Sequence, residues 1–393
     1  MNDTNGRVIV CSNVLPVSSE PVKNGAVAVK NGKIKLCGKA DEIKSRFPGF
    51  TVCDLGAGIL LPGFINCHTH LELGWLKPAK EFSGFVSWLS YIIGKKSAGV
   101  KTREIEKSVK DGIETLIKSG VTTVGEISSY GNDSEILKNS PLRTVLFREV
   151  TDSKPAPEPL PEKTDRFEER FFPHAPYSCS PELIKKMFKI SAEKGLPAGI
   201  HLAESPEETA FVRGEKNGIE ESIYPVMGKS PMRRHTAQTP FMYFSKMDNP
   251  AAKITAVHMA HIEKNEIEKI RKRGLGIVLC PRSNRFLNTG DAPAREYMKL
   301  ERVGLGTDGL SSNKTLNFFD EIRALYELLL PLGAEKAAEK AVYTATLGGA
   351  KALFIEDRAG SIETGKDADL IFIESGAENP YFGALEASRA SVV

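Results

Sequence analysis

The sequence predicts an α/β protein: a (β/α)8 TIM-like barrel with a small β-sandwich formed from both chain ends. Two observations carry this. Short apolar strands alternate with helical segments eight times between residues 57 and 357, and strand-like stretches with turn signals occupy residues 1–56 and 358–393. A chain of 393 residues is long enough for a barrel with a small appended unit.

At the start, Arg7–Cys11, Gly25–Val29, Lys33–Cys37 and Thr51–Leu55 read as strands. Asn31-Gly32 between the second and third is a hairpin signal, because both residues tolerate positive φ. Near the other end, Leu370–Glu374 is a further strand, and one more is expected beyond Val393, so the natural chain is expected to continue. Barrel strands are expected in Ile59–Ile65, Thr122–Ile127, Arg143–Phe147, Arg170–His174, Ala198–Leu202, Lys253–His258, Gly276–Cys280 and Val303–Gly306. The helix after strand four opens at Ser180-Pro181 and stops at Gly195; the next opens at Ser205-Pro206-Glu207-Glu208, with capping-box spacing. Residues 214–250 break the rhythm and read as an insertion over the site.

Net charge is +3, with 53 basic and 50 acidic residues, so nothing marks a nucleic-acid or membrane surface. The six cysteines are scattered and read as reduced core residues of a cytoplasmic protein. No basic and apolar leader is evident, and no apolar run nears the roughly 20 residues of a membrane span.

The chemistry gathers at strand ends. In Asn66-Cys67-His68-Thr69-His70, an extended backbone turns the i and i+2 imidazoles to one side. His174 ends strand four, His201 and Glu204 end strand five, His258 ends strand six and Asp308 follows strand eight. Six of the seven histidines lie at or just beyond a strand terminus, counting His261; His235, in the insertion, does not. Imidazoles and a carboxylate converging from several strands make a metal site, with a position left for water.

Asn66–His70, His201-Leu202-Ala203-Glu204, Val257–His261 and Gly306-Thr307-Asp308-Gly309 together resemble the amidohydrolase superfamily, and within it the mononuclear nucleobase and triazine deaminase branch. The resemblance runs from the N-terminal β segment to Ala368-Asp369-Leu370. It implies that His68, His70, His201 and Asp308 hold one divalent ion, Zn²⁺ or Fe²⁺. It also implies that Glu204 carries a proton from water to a ring nitrogen, while His258 and Asp308 take the remaining proton. Binuclear relatives use a lysine at the end of strand four; here His174 stands there, and Lys154 lies in a Pro-rich loop, so one metal is expected. For Glu204 the competing structural role is a first-turn helix carboxylate. His261 is one helical step past His258 and is expected to lie outside the reacting groups.

Gly125–Gly131, His174–Ser178, Cys280–Arg285, Asp308–Asn313 and His70-Leu71-Glu72 resemble the 6-amino-6-deoxyfutalosine deaminases of menaquinone biosynthesis, which convert the substrate's adenine to hypoxanthine. That resemblance implies a small nucleoside substrate, with contacts from His174, Ser129, Glu72 and Glu149. The substrate's anionic tail calls for a cation, for which Arg148 and Arg285 are candidates. Each of these also has a structural reading: a satisfied core imidazole for His174, support of the ligands for the two glutamates, surface ion pairs for the arginines. Other activities of the branch remain open, namely adenosine, methylthioadenosine or S-adenosylhomocysteine deamination, guanine deamination and chlorohydrolysis. A metal-free scaffold protein is the reading from another class. Members of the branch are often dimeric, so a homodimer is an expectation from resemblance alone.

Overall fold

The computed structural model describes residues 6–78, 82–154, 162–230 and 236–393. Eight parallel strands form the central sheet: Phe64–Thr69, Val121–Ser128, Arg143–Val150, Phe167–Pro173, Ala198–Leu202, Ile254–His258, Gly276–Leu279 and Val303–Leu305. In sheet order they run from strand five through eight to one and on to four. The His201 amide donates to the His174 carbonyl at 2.9 Å, which joins strands four and five and closes the ring. All eight expected strands are therefore present, and the fold is a (β/α)8 barrel.

Strand one differs from expectation in register. The apolar run Ile59–Ile65 is divided at Pro62-Gly63 between two sheets. Gly58–Pro62 pairs with Asn13 and Val14 on one side and with Leu370–Glu374 on the other, and only Phe64–Thr69 enters the barrel. Hydrophobicity alone could not show this, since both halves are fully buried. His68 consequently lies inside the barrel strand, with His70 just past its end.

The chain ends meet in one continuous mixed sheet of seven strands, with Arg7–Val14 at its centre. The hairpin at Asn31-Gly32 has the expected geometry, with φ of 54° and 68°. One face encloses Ile9, Val27, Leu60, Leu370 and Phe372; the other packs Val8, Val10 and Ala26 beneath a helix, Ala40–Arg46, that the strand pattern did not foretell. Ser391–Val392 adds a short antiparallel strand beside Leu370–Glu374. The segment after residue 358 is not purely sheet: the helix Pro380–Glu386 lies against the barrel helix Ala334–Tyr343, and Arg323 donates to the carbonyls of Leu385 and Ala387 at 3.1 and 2.8 Å. Arg143, on barrel strand three, holds the two units together through Asp367 at 2.6 Å and Asp369 at 2.9 Å.

The helix Pro181–Lys194 starts with the Ser180 side chain accepting from the Leu183 amide and ends at Gly195 in the left-handed region, as the cap signals require. The following helix, Pro206–Arg213, is capped by Ser205, which accepts from the Glu208 amide. Among the described residues no helix is long and apolar enough to cross a membrane.

Candidate metal centre and substrate cavity

Strand ends bring the predicted donors together. His68 Nε2 and His70 Nε2 each lie 3.5 Å from Asp308 Oδ1, and His201 Nε2 lies 3.3 Å from His68 Nε2. Two overlapping donor sets result, His68 with His70 and Asp308, and His68 with His201 and His258, each within 4.8 Å. Close packing of neighbouring strands makes this possible: a Cβ on Gly306 would stand 2.6 Å from His68 Cβ, and one on Gly125 would stand 2.3 Å from the Cys67 carbonyl oxygen. Ala203, His258 and Asp308, at or just beyond three strand ends, all adopt positive φ, the backbone strain that marks functional sites.

The donor set lacks a cation of its own. Burial pushes His68 and His201 down and His70 to about 3, so these imidazoles are neutral. Among the described residues their Nδ1 atoms have no hydrogen-bond partner. Burial alone would raise Asp308, yet the hydrogen bond with His68 leads the influences that hold it well below the carboxylate range. Asp308 Oδ2 accepts from the Ser283 and Ser312 hydroxyls at 2.6 and 2.7 Å, and Oδ1 accepts from the Gly309 amide at 2.9 Å. An ionised carboxylate, 5% exposed and ringed by neutral imidazoles, fits a divalent cation in charge and in donor chemistry.

Glu204 follows His201 by three residues and is 4% exposed. Its Oε1 is 3.5 Å from His258 Nε2, while His258 Nδ1 pairs with Asn284 Oδ1 at 3.0 Å. Since an amide oxygen only accepts, Asn284 places the imidazole proton on Nδ1 and leaves Nε2 as an acceptor toward the site. Burial, then the neighbouring Asp308, pushes Glu204 well above its ordinary value. The Glu208 carboxylate accepts from the Ala203 and Glu204 amides, both at 2.9 Å, and so fixes the strained turn that aims Glu204. Ser283, Asn284, Ser312 and Glu208 were not singled out as site residues; their signal lay in Cys280–Arg285, in Asp308–Asn313 and in the capping box. His261 is bonded to the Thr289 carbonyl at 2.6 Å and stays outside the cluster, as expected.

A cavity of ≈ 620 Å³ opens above His70, His201, Glu204, His258 and Asp308. His174, Glu149 and Ser129 line it. His174 Nδ1 pairs with the Ser178 hydroxyl at 2.7 Å and its Nε2 is 3.8 Å from Glu149. Burial would raise Glu149, but His174, Lys96, His70 and Lys154 bring it down to about 2. Three other expected contacts are corrected. Glu72 is buried outside the cavity wall and accepts from the Tyr130 and Asn132 amides at 2.6 and 2.7 Å, so it shapes the loop after strand two. Arg148 pairs with Glu169 at 3.2 Å, on the side of strand three away from the cavity. Arg285 lies on the surface between Asp291 and Glu327, 3.2 Å from each. The insertion reaches the site in part: Ile219, Ile223, Tyr224, Val226, Met227 and Lys229 line the cavity, whereas Pro240–Ser245 packs elsewhere. His235 lies outside the described residues.

Beneath the loop after strand two lie three fully buried carboxylates, Glu72, Glu126 and Asp133. Glu126 accepts from the Leu71 amide at 2.8 Å and so caps the turn after His70. Asp133 accepts from the Ser128 hydroxyl at 2.7 Å. Burial, and next the Glu72 charge, raises Asp133 to about 8. A carboxyl raised above its unfolded value of about 4 contributes stability at low pH that is lost as pH rises through the folded value. Asp133→Asn should therefore raise the melting temperature at pH 8 by about 2–4 °C, with the gain vanishing near pH 4–5 in a thermal-melt series. A gain independent of pH would contradict the assignment.

Residues 59–391 match the amidohydrolase family. A 5-methylthioadenosine/S-adenosylhomocysteine deaminase of Nitratidesulfovibrio vulgaris (strain DP4) is 28% identical over 91% of this chain and 80% of its own. A 5′-deoxyadenosine deaminase of Methanobrevibacter smithii is 29% identical over 93% of this chain and 82% of its own. Among solved structures, Helicobacter pylori aminofutalosine deaminase in complex with methylthio-coformycin superposes with a TM-score of 0.84 at 25% identity, covering 98% of this chain and 97% of that one. With the barrel, the strand-end donors and a match across most of its length, this chain belongs to the amidohydrolase family.

Proposed function

We propose that the protein is a metal-dependent aminohydrolase that removes the 6-amino group of an adenine nucleoside, and that its substrate is 6-amino-6-deoxyfutalosine, converted to futalosine and ammonia in menaquinone biosynthesis. The observation that carries the aminohydrolase reading is the pairing of Glu204 with His258 beside the donor cluster, in a cavity of ≈ 620 Å³, the size range of small-molecule sites. His68, His70, His201 and Asp308 would hold one Zn²⁺ or Fe²⁺. Such an ion, when bound, supplies the Lewis acidity that brings water toward ionisation at neutral pH.

The chain's own groups manage the protons. Glu204 accepts one from the attacking water and returns it to N1 of the purine, which makes C6 electrophilic. Oxygen then bonds to C6. The proton left on that oxygen passes to Asp308 or to His258 Nε2 and on to the departing amino group, so the C6–N bond breaks to give ammonia and a C6 carbonyl. His174 and Ser129 stand over the same cavity and are placed to bind the nucleoside.

The names of the relatives favour a second reading within the same chemistry, deamination of methylthioadenosine, S-adenosylhomocysteine or 5′-deoxyadenosine. Ammonia release from aminodeoxyfutalosine beside those nucleosides and adenosine tests both. The highest kcat/KM is expected for aminodeoxyfutalosine. Comparable values for the simple adenosines would remove the futalosine assignment, and no ammonia from any of them would remove the deaminase reading.

A further inference from the structure

The arginines expected to read an anionic tail are elsewhere, but the cavity has cations of its own. Lys96, from the helix Phe85–Ala98, Lys154, from the loop after strand three, and Lys229, from the inserted segment, line it from three directions. Lys96 sits with its ammonium 5.1 Å from the Tyr130 ring centroid, and Lys154 donates to the Ser129 carbonyl, so two of them are held at one loop. Lys96 and Lys154 act on Glu149, while Lys96 and Lys229 act on His174, so the three surround a common region. Among the described lining residues the carboxylates are Glu149, Glu204 and Asp308; Asp308 belongs to the donor cluster and Glu204 stands beside it. Outside that cluster the cavity lining therefore sets three ammonium groups against one carboxylate.

The cavity is also apolar. Trp88, Ile92, Ile93, Ile223, Val226 and Met227 wall it, and the Trp88 ring is fixed by donation from Nε1 to the Ser311 carbonyl at 2.9 Å. Val226 is 68% exposed and Met227 41%, apolar surface at the cavity mouth that an apolar ligand would cover. A neutral 5′ group would leave the surplus cations unanswered, and a bare phosphate would not use the apolar wall.

We infer that Lys96, Lys154 and Lys229 form a carboxylate-reading subsite that selects adenine nucleosides whose 5′ arm is apolar and ends in a carboxylate. The inference rests on the deaminase reading and deepens it by naming the group that sets specificity. Ammonium groups act as point charges without the fork geometry of arginine, so the subsite accepts a carboxylate at the end of arms that differ in length.

The test compares kcat/KM for aminodeoxyfutalosine and its methyl ester, which removes the charge and keeps the shape. S-adenosylhomocysteine and its methyl ester form the second arm. Wild type is expected to favour the acid, and Lys96→Met, Lys154→Met and Lys229→Met each to lower the acid-to-ester ratio about tenfold, the scale of one charged hydrogen bond. Lys→Arg at each position should restore most of the ratio, and added salt should shrink it. Lysine dependence in the first arm assigns an aryl carboxylate, and in the second an amino-acid carboxylate. Equal turnover of acid and ester by wild type, or equal loss on both in the variants, overturns the subsite while leaving the deaminase intact. Absence of ammonia from every nucleoside removes both.

Discussion

Glu204→Gln leaves a folded protein that keeps its metal and loses about 10²–10⁴ in kcat for ammonia release, the usual share of a positioned acid and base. Gln keeps the shape of the side chain but can neither accept a proton from water nor give one to N1. Glu204 has little other work: its backbone turn is fixed by Glu208, and its carboxylate, 3.5 Å from His258 Nε2, faces the cavity. If Glu204 were only a favourable charge near a helix start, the Gln variant would lose well under about 2 kcal/mol of stability and retain its turnover. Steady-state kinetics with metal content and a thermal melt on the same sample separates the two. Near-wild-type kcat in a metal-loaded Gln variant would break the proposed proton path.

Asp308→Ala is expected to do more, because it removes the ion as well as a proton acceptor. Taking away a hydrogen-bond partner of a metal ligand costs roughly 10–100-fold in affinity or activity, and removing the ligand itself costs more than that. Metal content should fall to a small fraction of wild type after dialysis, and kcat by more than about 10⁴-fold. The effect should be confined to the centre. Ser283 and Ser312 lose their acceptor, but the strand register beneath is held by its own ladder. Arg285→Ala provides the contrast: its ion pairs are exposed, so kcat/KM should stay within about threefold. A fully metal-loaded Asp308→Ala protein would take Asp308 out of the ligand set.

The barrel and the donor cluster were legible because both depend on periodic, local signals. Strand after strand ends in a histidine or carboxylate, and once the strands are parallel their ends share one face. Contacts made through loops were not legible in the same way. Glu72 stands two residues after His70, which places it near the metal, but the turn Leu71–Leu76 swings it under the next loop, to the amides of Tyr130 and Asn132. Arg148 and Arg285 carry the right charge for an anionic tail, yet strand alternation turns the first away from the cavity and a surface helix carries off the second. Lys96 was invisible for the opposite reason, since Lys95-Lys96 at the end of a helix reads as an ordinary solvated pair. The split of Ile59–Ile65 between two sheets is a topological fact that hydrophobicity does not encode.

The most direct test is anomalous diffraction at the zinc or iron edge on crystals of the metal-supplied protein. One peak per chain should lie about 2.0–2.2 Å from the Nε2 atoms of His68, His70 and His201 and from an Asp308 carboxylate oxygen. Two peaks, or a single peak bound by His174 in place of His201, would contradict the account.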